Sequence, residues 1–153
     1  MGVSAKTQVE QFAELFGLTE LFPESAVSPE KSAFETVDPN HTQPYLPEWL
    51  DLTRLFALIR LRRVTSVLEF GCGFSTVVMA HALSLNERDH GLSVRESLRR
   101  TDPFRLHVVD DMQQYLELTR GRLRGDSQKR VSFHLSPVQM TSFNGRICTE
   151  YQT

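Results

Sequence analysis

No apolar run in this 153-residue chain approaches the ~20 residues that a membrane-spanning helix needs. The first residues, MGVSAKTQ, lack the apolar centre of a signal peptide, and Lys6 stands where a myristoylation signal wants Ser or Thr. No membrane partner is expected. Cysteine is scarce: Cys72 and Cys148 lie far apart without metal-ligand spacing, which predicts free thiols, a reducing compartment and hence a cytoplasmic protein, with no metal site. An excess of one charge is missing too. Seventeen basic against nineteen acidic side chains leave a formal charge of −2, so no overall positive field argues for nucleic acid as a partner. Repeats and low-complexity tracts are absent. What is present is an apolar content of 40%, enough for the core of one ordinary domain.

Along the chain, SAKTQVEQFAELFGL places Val9, Phe12, Leu15 and Phe16 at helical spacing with Gly17 at the stop, predicting a short amphipathic helix. Residues 22–43 have no sustained period and are punctuated by proline, serine and aspartate, which predicts a long loop or arm. From Pro47 the spacing is helical again. Trp49, Leu50, Leu55, Phe56, Leu58 and Ile59 form the apolar face, with Glu48 and Asp51 near the positive end and Arg60, Arg62 and Arg63 near the negative end. VTSVLEF then reads as a buried strand closed by Gly71, followed by a helix from Ser75 or Thr76 to about Leu83. The polar stretch SLNERDHGLSVRESLRRTDPF predicts a loop with a helical turn or two around Val94 to Arg99. RLHVVDD is a second strand, MQQYLELTRGRLRG a helix through Met112, Tyr115, Leu116 and Leu118, and RVSFHLSP a third strand stopped by Pro137. The tail shows no period, only an Asn-Gly turn and an arginine. Alternation of helix and strand predicts an α/β fold with a parallel sheet and helices on its faces.

In such sheets ligands sit beyond the carboxyl ends of the strands. The turn Glu69-Phe70-Gly71-Cys72-Gly73-Phe74-Ser75 lies at that edge. Gly71 and Gly73 let the backbone come close to a ligand, and helix N-terminal amides behind them favour a carboxylate or phosphate. A dinucleotide fingerprint would place its third small residue at Thr76, which is β-branched, and its ribose acid ~20 residues on. The acids ending the next strand, Asp110 and Asp111, come nearly twice that distance later. An acid two positions before the first glycine instead suits a ligand carrying a charged amine. A purely structural turn remains the competing reading, as does a helix cap with a solvated neighbour for Asp110 and Asp111. His81, His107 and His134 read as packing or edge residues, and Cys72 as a small turn residue.

The segment VLEFGCGFST resembles the first motif of class I S-adenosylmethionine-dependent methyltransferases, E/D-x-G-x-G followed by a small residue. LHVVDD resembles their second motif, a strand ending in an acid that holds the ribose hydroxyls. The Gly-Phe-Ser-Thr wording is similar to a branch that modifies small molecules and sugars, and the match covers roughly Leu50 to Pro137. The resemblance implies a Rossmann-like sheet with helices on both faces, apparently incomplete at about three strands and preceded by N-terminal helices. Residues 1–46 would be a helix and arm, and residues 47–153 a partial cofactor-binding domain. It implies S-adenosylmethionine as cofactor and methyl transfer to a small-molecule substrate. Glu69 would meet the methionine amine, directly or through water, with Gly71 and Gly73 under the cofactor and Ser75 and Thr76 near the methionine carboxylate. Asp110 would accept from both ribose hydroxyls, Asp111 and Met112 would border the adenine, and the loop from Ser136 to Val138 would close over the base. One departure is that this loop offers Ser136, Pro137, Val138 and Gln139 where the family often carries an acid. No catalytic base is identified; His41, in the arm, is a candidate.

A complete sheet of this family has seven strands in the order 3-2-1-4-5-7-6, and the fourth strand, whose end carries substrate and catalytic residues, would lie beyond Thr153. One side of VTSVLEF is then expected to be unpaired despite its interior composition. A missing C-terminal half, a homodimer that completes the sheet, and a compact domain with different pairing are the three explanations. The functional alternatives are a nicotinamide-dependent oxidoreductase fragment and a non-catalytic binding or assembly module.

Overall fold

The computed structural model of the chain describes residues 8–21, 49–99 and 101–152. The arm, His41, Pro47 and the boundary between residues 46 and 47 lie outside the described residues. Helix α1 spans Gln8–Leu15, and α2 spans Trp49–Leu61. Strand β1 (Ser66–Phe70), helix α3 (Phe74–Ser97), strand β2 (Arg105–Asp110), helix α4 (Gln113–Arg122) and strand β3 (Val131–Leu135) follow in alternation. The chain ends in β4 (Val138–Phe143) and β5 (Arg146–Tyr151). The fold is therefore mixed α/β, and among the described residues no helix is long and apolar enough to cross a membrane.

The strands β1, β2 and β3 form one parallel sheet in that spatial order. Register sets the faces. Val67, Leu106 and Val131 stand side by side, as do Glu69, Val108 and Phe133. The apolar members of these rows belong to the core, with Phe56 and Ile59 of α2, Val77, Val78, Ala80 and Leu83 of α3, and Leu116 of α4. The opposite face carries Leu68 and Phe70, each 59% exposed, beside His107, Val109, Ser132 and His134. Helices were expected on both faces; among the described residues the packed helices gather on one. Both crossovers step the same way across the sheet, and right-handed crossovers then lay their helices on the same side.

Two helical faces differ from the pattern read in the sequence. Phe12 of α1 and Phe16 just after it pack on the core but Leu15 is exposed, and the buried positions are Ala13 and, beyond the helix, Leu18. In α2, Leu52, Thr53, Phe56 and Ile59 are buried, whereas Leu50 and Leu58 face outwards. The i, i+3, i+4, i+7 stripe starts at Leu52, which the apolar list omitted. α1 belongs to the same core as α2: the Phe16 and Phe56 rings lie 5.3 Å apart, and His81 Nε2 of α3 is 3.0 Å from the Phe16 carbonyl oxygen. Burial lowers the His81 pKa below its ordinary value, against a smaller opposing effect of that carbonyl.

Helix α3 runs fourteen residues past the expected stop at Leu83, to Ser97. Polar contacts hold this extension. Asn86, fully buried, donates from Nδ2 to the carbonyls of Ile59 (3.1 Å) and Val64 (3.0 Å), and its Oδ1 accepts from Arg60 (2.6 Å). It thereby satisfies the end of α2, whose last carbonyls have no helical partner. Asp89 also pairs with Arg60, and Glu87 pairs with Arg95 and with Arg130 next to β3. A Cβ at Gly91 would stand 3.2 Å from Glu87 Cγ and 3.3 Å from Arg95 Nη1, so glycine leaves room for that ion pair to cross the helix. Asn86→Ala is expected to cost about 1–3 kcal/mol, because it removes a buried donor from the Ile59 and Val64 carbonyls and one of the two acceptors that Arg60 pairs with. An unchanged urea midpoint would refute that role.

The tail, read as aperiodic, is a β-hairpin: β4 and β5 pair antiparallel from Val138↔Tyr151 to Phe143↔Arg146. Asn144 and Gly145 both have positive φ (51° and 75°), the geometry of a two-residue type I′ turn. The hairpin is a separate sheet and leaves the outer edge of β1 without a strand among the described residues.

Candidate functional site

The site forms where β1 and β2 end. Glu69 lies on the core face of β1, one residue short of the strand end, and its carboxylate turns to the start of α3. Ser75 Oγ donates to Oε1 (2.5 Å) and Thr76 Oγ1 donates to Oε2 (2.7 Å). Thr76 Oγ1 in turn accepts from the Gly73 amide at 3.1 Å. The two helix-start hydroxyls and the acid thus fix the turn between them. Gly71 has φ +83°, a conformation that only glycine adopts freely, and its amide donates to Val109 O of β2 at 2.8 Å. A Cβ added at Gly71 or at Gly73 would meet no atom within 4 Å, so the space over the turn is open.

Asp110 ends β2 on the same face as Glu69. It is 5% exposed, and its Oδ1 accepts from the Met112 amide at 2.8 Å, an Asx-type bond that starts α4. Glu69 has its pKa raised, first by burial and further by the negative charge of Asp110; the two hydroxyl donors oppose the shift. Cys72 sits in the turn near both acids. Its thiol takes a hydrogen bond from Thr119 Oγ1 of α4 at 3.5 Å; burial, chiefly, and the neighbouring Asp110 and Glu69 carboxylates push its pKa up to about 12. A thiol held there stays protonated at physiological pH and is no nucleophile.

The structure therefore brings Glu69, Gly71, Gly73, Ser75, Thr76 and Asp110 to one rim. Asp111 and Met112 follow on the exposed side of that rim. Ser136 is buried beside Asp110, its amide donating to the Asp110 carbonyl at 2.9 Å, but its hydroxyl donates to the Gln152 carbonyl at 2.6 Å. That bond anchors the hairpin base, so the Ser136 hydroxyl is engaged within the protein. His107 and His134 stack at 5.8 Å on the open sheet face, away from the turn. Among the described residues no cluster of three or more His, Cys, Asp or Glu could hold a metal ion.

Two contributors were not singled out from sequence. Thr119 reaches Cys72, and Arg122 lays its guanidinium 4.3 Å from the centroid of the Phe74 ring, next to Gly73. Thr119 and Arg122 are three apart on α4, one helical face, but nothing local says which strand-end turn that face meets. Compared with protein-family models, with characterised proteins and with solved structures, the chain matches none.

Proposed function

We propose that this chain supplies the S-adenosylmethionine-binding half of a class I-type methyltransferase acting on a small molecule or sugar. The observation that carries the reading is a pair of carboxylates, Glu69 and Asp110, on one face of the sheet at its carboxyl rim, with uncovered glycines between them. Glu69 would take the amine of the methionine moiety. Asp110, with Oδ1 engaged by Met112, keeps lone pairs on its other oxygen for a ribose hydroxyl, and the exposed Asp111 offers a second acceptor. The cofactor supplies an electrophilic methyl group on a sulfonium, and displacement at that methyl depends on holding the two reactants in line. This chain's contribution is binding and orientation. Thr76 argues against a dinucleotide: its hydroxyl bridges Gly73 and Glu69, and the acid it holds beside the turn would repel a pyrophosphate.

The edge of β1, unpaired among the described residues, is where a fourth strand would join, from a homodimer partner or a C-terminal half. The free thiols of Cys72 and Cys148 support a reducing, cytoplasmic setting. A second reading, an assembly module with a vestigial pocket, is favoured by the exposure of Leu68 and Phe70 beside that edge.

Calorimetric titration with S-adenosylhomocysteine and with NAD separates these readings. The expected result is binding of S-adenosylhomocysteine, weakened roughly 10- to 150-fold in Asp110→Asn through loss of charge-assisted hydrogen bonds. Binding of NAD alone would overturn the proposal. A folded protein that binds neither, yet self-associates in light scattering, would favour the assembly reading.

A further inference from the structure

The hydroxyls of Ser75 and Thr76 were the expected partners of the methionine carboxylate, and both are donated to Glu69 instead. The Gly73 amide is donated to Thr76. A zwitterionic amino acid lying over the turn would find its ammonium matched by Glu69 and would need another cation for its carboxylate.

Arg122 is the candidate the fold supplies. It is the last residue of α4, half-buried, with its guanidinium carbon 4.3 Å from the centroid of the Phe74 ring. Phe74 directly follows Gly73 and opens α3, so the cation rests on the ring of the residue next to the turn. Stacking uses the flat face of a guanidinium and leaves its edge, a fork of N–H donors, free for a carboxylate. Among the described residues Arg122 has no ion pair or hydrogen bond. The other half-buried arginines among the described residues differ: Arg60 is paired with Asp89 and Asn86, Arg105 with Asp102, and Arg130 with Glu87. Burial holds the Arg122 pKa below its ordinary value, opposed in small part by Cys72, as befits a partly desolvated cation with no carboxylate beside it among the described residues.

We propose that Arg122, braced on Phe74, is the carboxylate-binding residue of the site, so that the glycine turn sits between an acid for the ligand's ammonium and an arginine for its carboxylate. This rests on the reading of the turn as an adenosyl-amino-acid site. It names the feature by which the protein would distinguish S-adenosylhomocysteine from a nucleoside lacking the amino acid.

The test compares wild type, Arg122→Met and Arg122→Lys by calorimetric titration with S-adenosylhomocysteine and with 5′-methylthioadenosine, which keeps the nucleoside and thioether but has neither ammonium nor carboxylate. Arg122→Met is expected to weaken S-adenosylhomocysteine at least roughly tenfold and to leave 5′-methylthioadenosine unchanged, with Arg122→Lys between. Equal binding of S-adenosylhomocysteine by wild type and Arg122→Met would overturn the inference and leave the site reading standing. Parallel weakening of both compounds would mean that Arg122 acts only on folding, and overturns it as well. If wild type binds no S-adenosylhomocysteine, the site reading falls and this inference with it.

Discussion

Phe56→Ala is expected to lower the free energy of unfolding by about 3–5 kcal/mol, the range for removing a buried aromatic ring that its surroundings cannot replace. Phe56 is fully buried, and three rings surround it: Phe12 edge-on at 6.2 Å, Phe16 at 5.3 Å and His81 stacked at 5.9 Å. These contacts join three helices, so collapse around the cavity would require α1, α2 and α3 to move together. α1 has the most to lose. At eight residues it is too short to be helical alone, and its order depends on what Phe12 and Phe16 pack against. Two readouts should therefore move. The urea midpoint of the whole protein should fall, and amide exchange in Gln8–Leu15 should speed up by more than in β2. A loss below about 1 kcal/mol, with α1 exchange unchanged, would show that the cluster relaxes without Phe56 and that α1 is held by something else.

How far the sequence reveals this architecture depends on what holds each part. The three parallel strands are legible because sequence-local apolar runs bury them: VTSVLEF, RLHVVDD and RVSFHLSP contain β1, β2 and β3. The second half of α3 is not, since Asn86, Glu87 and Asp89 do their work through Arg60 and Arg130, residues 26 to 43 positions away. A polar run read by itself looks like a loop. The hairpin escaped for the opposite reason: most of its side chains are exposed, so no alternation marks it, and the Asn144-Gly145 turn is its one local signal. Placement of helices on one face follows from the order of strands, which no window of sequence carries.

The site divides along the same line. Glu69, Gly71 and Gly73 were legible because a turn of that kind restricts residue type by backbone geometry. Ser75 and Thr76 stand at the helix start, and their hydroxyls donate to Glu69, a pairing six and seven residues apart that the motif alone does not specify. Thr119 meets Cys72, and Arg122 meets Phe74, only because α4 packs beside the turn, a tertiary fact.

Glu69→Gln is expected to separate binding from stability. Losing the negative charge should weaken S-adenosylhomocysteine about 10- to 150-fold, the value of a charge-assisted hydrogen bond to an ammonium. The free protein should respond the other way. Burial, above all, raises the Glu69 pKa from its ordinary 4.5, with Asp110 adding to the shift and the two hydroxyls opposing it. A folded-state pKa above the unfolded one means that the native protein holds the proton longer. Stability tied to this group is then full below about pH 4.5 and is lost as pH rises through the raised folded value. Glutamine carries no such charge, so the variant should gain on wild type as pH rises from 4 to 8, in paired urea titrations. The gain should shrink with ligand present, because the bound ammonium would compensate the buried carboxylate in wild type alone. A wild type that instead gains on the variant with rising pH would mean that Ser75 and Thr76 stabilise the ionised carboxylate more than burial disfavours it. The acid would then brace the turn through the two hydroxyls in its charged form, and the predicted gain of the variant in the free protein would be refuted.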